Sequence, residues 1–335
     1  MRQDEELLRL AVVGAGMMAR RRLAAFAETG RSRVLAVMAG SECGARVLAD
    51  EWGAVAAASL TQLAALKPDA LLVEVPHRVQ DEIAAWALRQ RIPLLLGGPL
   101  ASSVEAGMEL AALAASGGCV LEAGYEASYK PVWEEAGRLI ASGRIGRPIA
   151  FRAVALWPGD PDSWYYRQAD SGGMPLTHMS YAFLNPLRGL FGAPLRVSAF
   201  ANAIKHAGDG LVEQETCVAN LEYPDRVLGS LMAGYVRPCE SRQWSVTVLG
   251  SEGMLEIDPT EMDAGSLCLS RGAERQCLAF DGEPDAFVRQ AHAFIDAARG
   301  EPGRCRNPPD DALLDLRCAQ AIVESATSGR TVSLA

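Results

Sequence analysis

The N-terminal part of the chain alternates between short apolar runs and stretches with a helical period. Apolar residues dominate Leu8–Val13 without any helical spacing, which is typical of a strand buried on both faces. Small and apolar residues then recur at helical spacing from Met17 to Ala27. Strands that alternate with helices in this way predict a doubly wound parallel sheet. Further strands are predicted at 34–38, 70–75, 93–96 and 119–122, and further helices at 43–52, 60–66, 80–90 and 104–115.

The pattern changes beyond about residue 130. A predicted helix at 132–141 leads into an alternating strand at 149–156 and a loop rich in aromatic residues at 157–173. A helical stretch at 174–191 contains Pro175 and Pro186, which are expected to end or kink it. Strands without intervening helices then imply an antiparallel sheet. These strands are predicted at 195–203, 214–222, 226–235, 243–249, 253–257 and 266–280, before two final helices at 285–299 and 310–328.

The expected fold class is therefore α/β plus α+β, in two domains. Residues 1–125 are predicted to form an α/β domain with a doubly wound parallel sheet. Residues 126–335 are predicted to form an α+β domain with an antiparallel sheet. The C-terminal helices are candidates for packing back onto the first domain.

Composition and charge narrow the function classes. The 335 residues are 49% hydrophobic and 22% charged, which favours compact globular structure. A net charge of -9 argues against nucleic acid or an acidic membrane surface as the main partner. The acidic N-terminus lacks the apolar run of a signal peptide, and no stretch reaches the length of a membrane span. We expect a cytoplasmic protein.

Cysteine and histidine spacing gives no sign of a metal site. The eight cysteines show no CxxC pair, so neither zinc binding nor a disulfide framework is indicated, and most are expected to be reduced core residues. His77, His206 and His292 are scattered. Lysines are rare, and a mechanism that needs one has only Lys67, Lys130 and Lys205 to draw on.

A glycine turn follows the first predicted strand. Gly14-Ala15-Gly16, with Ala19 in the third place, gives the pattern GxGxxA between a strand and a helix. Such a turn exposes backbone N–H groups at the positive end of a helix, which suits a pyrophosphate. We assign Gly14, Gly16, Met17 and Met18 to this site. The alternative is an ordinary glycine turn of an α/β domain.

Several segments resemble one known family in order and spacing. The sequence is similar to the NAD(P)-dependent glucose-fructose oxidoreductase, inositol dehydrogenase and MocA family (Gfo/Idh/MocA). The resemblance implies that residues 1–125 form a dinucleotide-binding Rossmann domain and that residues 126–335 form a substrate and oligomerisation domain on a large, mostly antiparallel open sheet, through which homodimers or homotetramers form. It also implies a nicotinamide cofactor, further cofactor contacts from Ser41, Pro76, Gly98 and Pro99, and a sugar, nucleotide-sugar or cyclic-polyol substrate. It is carried by GAGMMARRR, VPHRVQDEIAAWALRQRIPLLLGGPL, IASGRIGRPIAF, SGGMPLTHMSYAFLNPLRGLFGAP, VLGSEGMLEID and SATSGRTVSL.

The chain departs from this family at the catalytic positions. The family's Glu-Lys-Pro is replaced by Gly97-Gly98-Pro99, so the ammonium near the nicotinamide is absent. The family's Asp and His, four residues apart, align with Thr177 and Tyr181. Tyr181 can exchange a proton, but lowering its pKa from about 10 requires a nearby cation.

Three substitutes for the missing groups are candidates, and one of them is the cluster of Glu122, Tyr125 and Glu126 at a strand end, for which ordinary exposed loop acids are the alternative. His178 is an alternative acid or base, and a hydrogen-bonded structural histidine is an equally good interpretation. Lys130 is a candidate cation, but we expect it to be a solvated residue at a helix start. The aromatic loop residues are expected either to stack on a sugar or to form core: Trp157, Trp164, Tyr165 and Tyr166.

Cofactor choice is also altered. An acidic residue that accepts hydrogen bonds from the ribose hydroxyls is expected about 20 residues after the glycine turn. Ala39 occupies that position, followed by Gly40 and Ser41. NADP is therefore favoured over NAD. Arg20, Arg21 and Arg22 are candidates for phosphate contacts, although a solvated basic face is favoured for at least two of them. Glu74 would repel a pyrophosphate unless it is paired or protonated.

Two functions follow from these observations. The first is an NAD(P)-dependent oxidoreductase with Tyr181 and His178 in the proton-transfer role and no metal. The second is a non-catalytic or repurposed protein that keeps the fold for ligand binding without net redox chemistry, because fold does not guarantee function.

Overall fold

The structure is a computed structural model that describes residues 7–236, 243–259, 265–280, 284–301 and 305–334. Contacts divide the chain into two compact units. The first comprises the chain up to Gly124 together with Phe287–Ala312, and the second comprises Tyr125–Ala286 together with Leu313 onward. No helix in the described ranges is both long and apolar enough to cross a membrane.

The first unit contains a parallel sheet of six strands in the order β3-β2-β1-β4-β5-β6. This is the predicted doubly wound arrangement. Its strands are β1 Leu8–Val13, β2 Ser32–Met38, β3 Val55–Ala56, β4 Ala70–Val73, β5 Leu94–Gly97 and β6 Leu121–Gly124. Its helices before Gly124 are α1 Met17–Glu28, α2 Glu42–Trp52, α3 Leu60–Ala65, α4 His77–Arg89 and α5 Val104–Gly117.

The second unit is built on nine strands in the order β14-β13-β12-β11-β7-β10-β9-β8-β15, antiparallel except for the parallel pair β7 and β10. This confirms the large, mostly antiparallel sheet. The strands are β7 Pro148–Leu156, β8 Arg196–Asn202, β9 Thr216–Glu222, β10 Leu228–Gly234, β11 Gln243–Gly250, β12 Met254–Asp258, β13 Ser266–Arg271, β14 Glu274–Ala279 and β15 Val332–Ser333. The helices are α6 Pro131–Ala141, α7 Gln168–Ser171, a π-helix Pro175–Leu184, α8 Asn185–Phe191, α9 Ala286–Ala298 and α10 Pro309–Ser328, of which α9 and the start of α10 group with the first unit.

Apolar packing and helix capping explain the first unit. Leu10 and Val12 of β1 are fully buried in a cluster that also contains Phe294 of α9. The ring of Phe294 meets that of Phe26 edge to face at 6.1 Å. Burying side chains of this size stabilises a fold by about 1.5–3 kcal/mol each. Three helices begin at serines whose hydroxyls accept backbone N–H bonds, Ser41 for α2, Ser59 for α3 and Ser103 for α5.

Two predicted elements differ from the structure. The stretch 266–280, predicted as one strand, is a hairpin of β13 and β14 that turns at Gly272, whose φ of +59° is in the left-handed region. The predicted helix 174–191 is a π-helix followed by α8. Pro175 and Pro186 lie in the first turns of these helices, where a missing N–H costs little.

The cysteines include one pair that their spacing did not indicate. Cys268 of β13 lies directly across from Cys277 of β14, and the two sulfurs are bonded. Among the free cysteines, burial raises the pKa of Cys217 to about 12, so this thiol stays protonated. The predicted core residue Cys239 lies outside the described residues, and Cys43 is exposed rather than part of the core.

A buried ion pair joins four elements of the first unit. Arg22 of α1 pairs with Glu74, which follows β4, and the two side chains are only 3% and 9% exposed. The same guanidinium donates to Oε1 of Gln290 in α9 at 2.5 Å and to the carbonyl oxygen of Gly124 at 2.6 Å. A charge taken out of water needs such partners. Glu74 is thus paired, which removes the objection that it would repel a pyrophosphate.

The predicted consequence is that Glu74→Gln destabilises the first unit. The substitution leaves the buried Arg22 guanidinium without its counter-charge, and we expect the free energy of unfolding to fall by about 3–5 kcal/mol. Denaturant unfolding measures it. The matched control is Glu42→Gln, which breaks the exposed pair of Glu42 with Arg46 and is expected to cost less than about 1 kcal/mol. Equal losses in the two variants would contradict the prediction.

Candidate functional site

The predicted cofactor residues follow four strands of one parallel sheet. Because parallel strands end at the same edge, the segments after β1, β2, β4 and β5 lie together at the carboxyl edge of the sheet. Strand β1 has β2 on one side and β4 on the other, so the turn after β1 lies where the strand order reverses. Ligands of open α/β sheets bind at this switch point.

The glycine turn has the geometry of an anion site. Gly14 has φ +122°, and a Cβ on it would lie 2.1 Å from the carbonyl oxygen of Glu74, so only glycine fits. Gly16 is the N-cap of α1, where no side chain caps the helix, and a Cβ there would meet nothing within 4 Å. The first N–H groups of α1 are therefore open to an external acceptor. The residues present fit a pyrophosphate.

The two methionines of the turn differ in their surroundings. Met17 is 69% exposed, and Met18 packs against the small apolar cluster of Ala25, Phe287 and Val288. A contact from Met18 to a phosphate would therefore come from its backbone N–H. This matches a helix N-terminus, where the main chain and not the side chain does the binding.

The segment after β2 lacks an acid. Ser41 accepts an N–H bond from Gly44 at 3.1 Å as the N-cap of α2, which leaves its hydroxyl proton to donate. The three arginines of α1 are engaged elsewhere: Arg20 pairs with Glu51, and the guanidinium groups of Arg21 and Arg22 lie over the Phe287 ring. Arg22 is the one of the three that is fully buried, where it is paired with Glu74, whereas Arg20 and Arg21 are partly exposed.

The segments after β4 and β5 are joined by a side-chain hydrogen bond. Pro76 is the N-cap of α4, and Gln80 of that helix donates to the carbonyl oxygen of Pro99 at 2.8 Å. A Cβ on Gly97 would lie 2.8 Å from Oε2 of Glu74. The glycine at position 97 thus leaves room for the carboxylate that pairs with Arg22. Gly98 and Pro99 follow directly.

In the second unit, the π-helix brings His178 and Tyr181 together. Their ring centroids are 5.5 Å apart, and both side chains are half-buried. The His178 ring also contacts Trp157 at 5.2 Å and Tyr165 at 5.1 Å. Trp157 and Tyr166 of the aromatic loop are buried, whereas Trp164 and Tyr165 are half-buried. The loop therefore supplies both core and partly open aromatic surface.

Tyr235 is a member of this cluster that the sequence did not single out. Its hydroxyl bonds to Nδ1 of His178 and lies 2.7 Å from Oγ1 of Thr177. Burial holds the pKa of the Tyr235 phenol well above its usual range, so the phenol stays protonated. Tyr235 was predicted only as the end of a strand, and no local motif marks it.

A histidine and a glutamate, His206 and Glu215, contact Tyr166 of the aromatic loop. Nδ1 of His206 contacts Oε1 of Glu215, and the Tyr166 hydroxyl donates to the same oxygen at 3.1 Å. Burial, together with the charge of Glu215, raises the pKa of Tyr166. The other oxygen of Glu215 accepts the backbone N–H of Lys205 at 3.1 Å. Glu215 thereby holds the 205–206 turn against the aromatic cluster.

Lys130 is buried, contrary to expectation. Only 1% of it is exposed, and its ammonium donates to the carbonyl oxygen of Pro259 at 3.0 Å. The same ammonium lies 5.1 Å from the centroid of the Trp244 ring, and that ring contacts the Tyr181 ring at 6.0 Å. The prediction of a solvated helix-start residue is wrong, because the residue faces the core of its unit. No cluster of three or more metal-ligating side chains occurs among the described residues.

Comparisons with known proteins agree with this architecture. Residues 8–125 match the oxidoreductase family with an NAD-binding Rossmann fold, and residues 133–256 match the GFO/IDH/MocA C-terminal domain. A relative is the myo-inositol dehydrogenase Hyg17 of Streptomyces leeuwenhoekii, 29% identical over 288 residues that cover 82% of this chain and 84% of that protein.

Solved structures share the fold over nearly the whole chain. The aldose-aldose oxidoreductase of Caulobacter crescentus, complexed with glycerol, is 24% identical with a TM-score of 0.86 and covers 98% of this chain and 100% of its own. The WlbA dehydrogenase of Bordetella pertussis, in complex with NADH and UDP-GlcNAcA, is 19% identical with a TM-score of 0.85 and covers 98% and 99%. The two family matches together span most of the sequence, and the chain belongs to the Gfo/Idh/MocA family of oxidoreductases.

Proposed function

We propose that the protein is an NAD(P)-dependent oxidoreductase that interconverts an alcohol and a ketone on a sugar, nucleotide-sugar or cyclic polyol. The observation that carries the proposal is the glycine turn, where Gly14 admits only glycine and Gly16 leaves the N-terminus of α1 uncapped. The names of the relatives, which include an inositol dehydrogenase and an aldose-aldose oxidoreductase, support the substrate class.

A bound nicotinamide would supply or accept the hydride. The chain must then bind the dinucleotide and move one proton to or from the substrate oxygen. Gly14, Gly16, Met17 and Met18 offer backbone N–H groups to the pyrophosphate, with Ser41, Pro76, Gly98 and Pro99 along the same sheet edge. His178 and Tyr181 hold the exchangeable proton. Reduction of a ketone is the favoured direction, because it requires only a proton donor.

The replaced catalytic positions favour a second candidate. Gly98 and Thr177 lack the ammonium and the carboxylate that the family carries there, which is compatible with a protein that binds its ligand without redox chemistry. Calorimetry with NADP⁺, NADPH, NAD⁺ and NADH separates the two. Binding of at least one form is expected for an oxidoreductase, and binding of none would exclude it.

A charge placed at the N-terminus of α1 tests the phosphate site. Gly16→Asp adds a side chain where nothing lies within 4 Å and provides an N-cap, so its melting temperature should equal or exceed that of the parent. We expect the carboxylate to repel the pyrophosphate and to weaken dinucleotide binding by at least about 100-fold, about 2.7 kcal/mol.

The matched control is Gly16→Asn, which has the same size and capping ability without the charge. It should weaken binding by less than about tenfold, about 1.4 kcal/mol. Equal losses for Gly16→Asp and Gly16→Asn would indicate steric hindrance and contradict an anion site.

We propose NADP(H) as the preferred cofactor, because the loop 39–41 between β2 and α2 contains no acid. The segment Ala39-Gly40-Ser41 has no carboxylate to repel a 2′-phosphate, and the Ser41 hydroxyl has a proton to donate. Calorimetry should give a lower Kd for NADPH than for NADH. Ala39→Asp should reverse this order by repelling the phosphate and accepting bonds from the ribose hydroxyls. An unchanged ratio of the Kd values for NADPH and NADH would show that the side chain at position 39 does not contact the ribose of the cofactor.

We also propose a homodimer or homotetramer that uses the open sheet. Phe200 of β8, 70% exposed, lies beside Val218 of β9, which lies beside Met232 of β10 and, across the next strand, Val154 of β7. This apolar row crosses one face of the sheet. Sedimentation should detect a dimer or tetramer, and Phe200→Asp should shift the protein toward a monomer. A monomeric parent protein would contradict the proposal.

A further inference from the structure

The Tyr235 hydroxyl lies between a hydroxyl and an imidazole. Thr177 and His178 are consecutive residues of the π-helix, and both reach the same phenol oxygen. Oγ1 of Thr177 in turn lies 3.2 Å from the carbonyl oxygen of Gly173 and 3.3 Å from that of Met174. Four groups thus form one continuous chain of hydrogen bonds: carbonyl, Thr177, Tyr235 and His178.

The carbonyl at one end of this series of hydrogen bonds determines which group donates in each bond. A carbonyl oxygen only accepts, and threonine in a helix commonly donates to a carbonyl three or four residues earlier. When Thr177 donates to such a carbonyl, its oxygen accepts the single proton of Tyr235. The oxygen of Tyr235 then accepts from His178, and the donor is Nδ1–H.

We infer that Tyr235 is a positioning residue that keeps the proton of His178 on Nδ1, so that Nε2 is the nitrogen that exchanges a proton with the ligand. This rests on the proposed function and names the acting atom within it. When the His178 ring is protonated on both nitrogens, this imidazolium gives its Nε2 proton to the ligand oxygen and becomes neutral. In the reverse direction Nε2 takes that proton back. The Nδ1–H bond is neither made nor broken.

The surroundings of His178 favour this arrangement. Its ring lies within 5.0 to 5.5 Å of those of Trp157, Tyr165, Tyr181 and Tyr235. These four side chains restrict the movement of the His178 ring. The hydrogen bond between its Nδ1 and the Tyr235 hydroxyl then fixes the orientation of the ring. Tyr235 is itself held, because its backbone N–H donates to the carbonyl of Glu215 at 3.1 Å. The phenol therefore acts as a fixed acceptor.

The test is the tautomer of His178, observed by nitrogen-15 NMR of histidine-labelled full-length protein. His178→Gln assigns the signal among the four histidines. We expect the neutral ring of the parent protein to carry its proton on Nδ1. Tyr235→Phe removes the acceptor, and the proton should move to Nε2. Thr177→Val removes the next acceptor, so Tyr235 should turn its proton toward Nδ1 and give the same reversal.

The matched control is Tyr223→Phe, which removes the hydroxyl of an equally buried tyrosine that packs against Phe151 and Phe191. It should leave the His178 signal unchanged. A neutral parent ring already protonated on Nε2, or no change in Tyr235→Phe, would overturn the inference.

Calorimetry with the four nucleotides on the same samples separates this inference from the proposed function. If the tautomers behave as expected and no dinucleotide binds, the inference about Tyr235 is supported and the proposed redox function is rejected. If a dinucleotide binds and the His178 tautomer is unchanged in Tyr235→Phe, the proposed function is supported and the positioning role of Tyr235 is rejected.

Discussion

The first unit depends on how closely the end of β4 approaches its neighbours at Glu74. The carbonyl oxygen of this residue occupies the space that any side chain on Gly14 would need, and its carboxylate occupies that of a side chain on Gly97. The carboxylate is then neutralised by Arg22, whose remaining donors reach Gln290 and Gly124. A buried ion pair is tolerated only when its hydrogen-bonding capacity is used in this way. As a result, the Glu74 carboxylate is neutralised at the sheet edge where we propose that the glycine turn binds a pyrophosphate.

The second unit is organised by buried phenols. Tyr166 and Tyr235 are almost fully buried, and burial raises the pKa of both, so their hydroxyls act as neutral hydrogen-bonding groups. A Cβ on Gly159 would lie 2.1 Å from the Tyr166 hydroxyl, which shows how tightly the cluster is packed. The consecutive residues Thr177 and His178 of the π-helix both contact the phenol of Tyr235. π-Helical segments recur at functional sites.

The chain combines the NAD-binding fold of its family with glycines at positions 97 and 98. Gly97 makes room for Glu74, and Gly98 offers no ammonium. Lys130 does not substitute for it in any simple way, because its ammonium is already held by the Pro259 carbonyl and the Trp244 ring. His178, whose ring is hydrogen-bonded to Tyr235, is therefore the candidate that we favour for proton exchange.

The sequence by itself determined most of the strands and helices, the glycine turn and the family, because these depend on local periodicity and on short motifs such as Gly14-Ala15-Gly16. Tertiary structure alone decided the partners of charged and polar side chains. Lys130 was expected to be solvated and is buried in the fold, and no local pattern distinguished buried Arg22 from its two neighbours, since burial depends on residues as distant as Pro259 and Gln290. Tyr235 meets His178 only because β10 ends beside the π-helix. Local patterns carry no information about such contacts, which form between segments that are far apart in the chain.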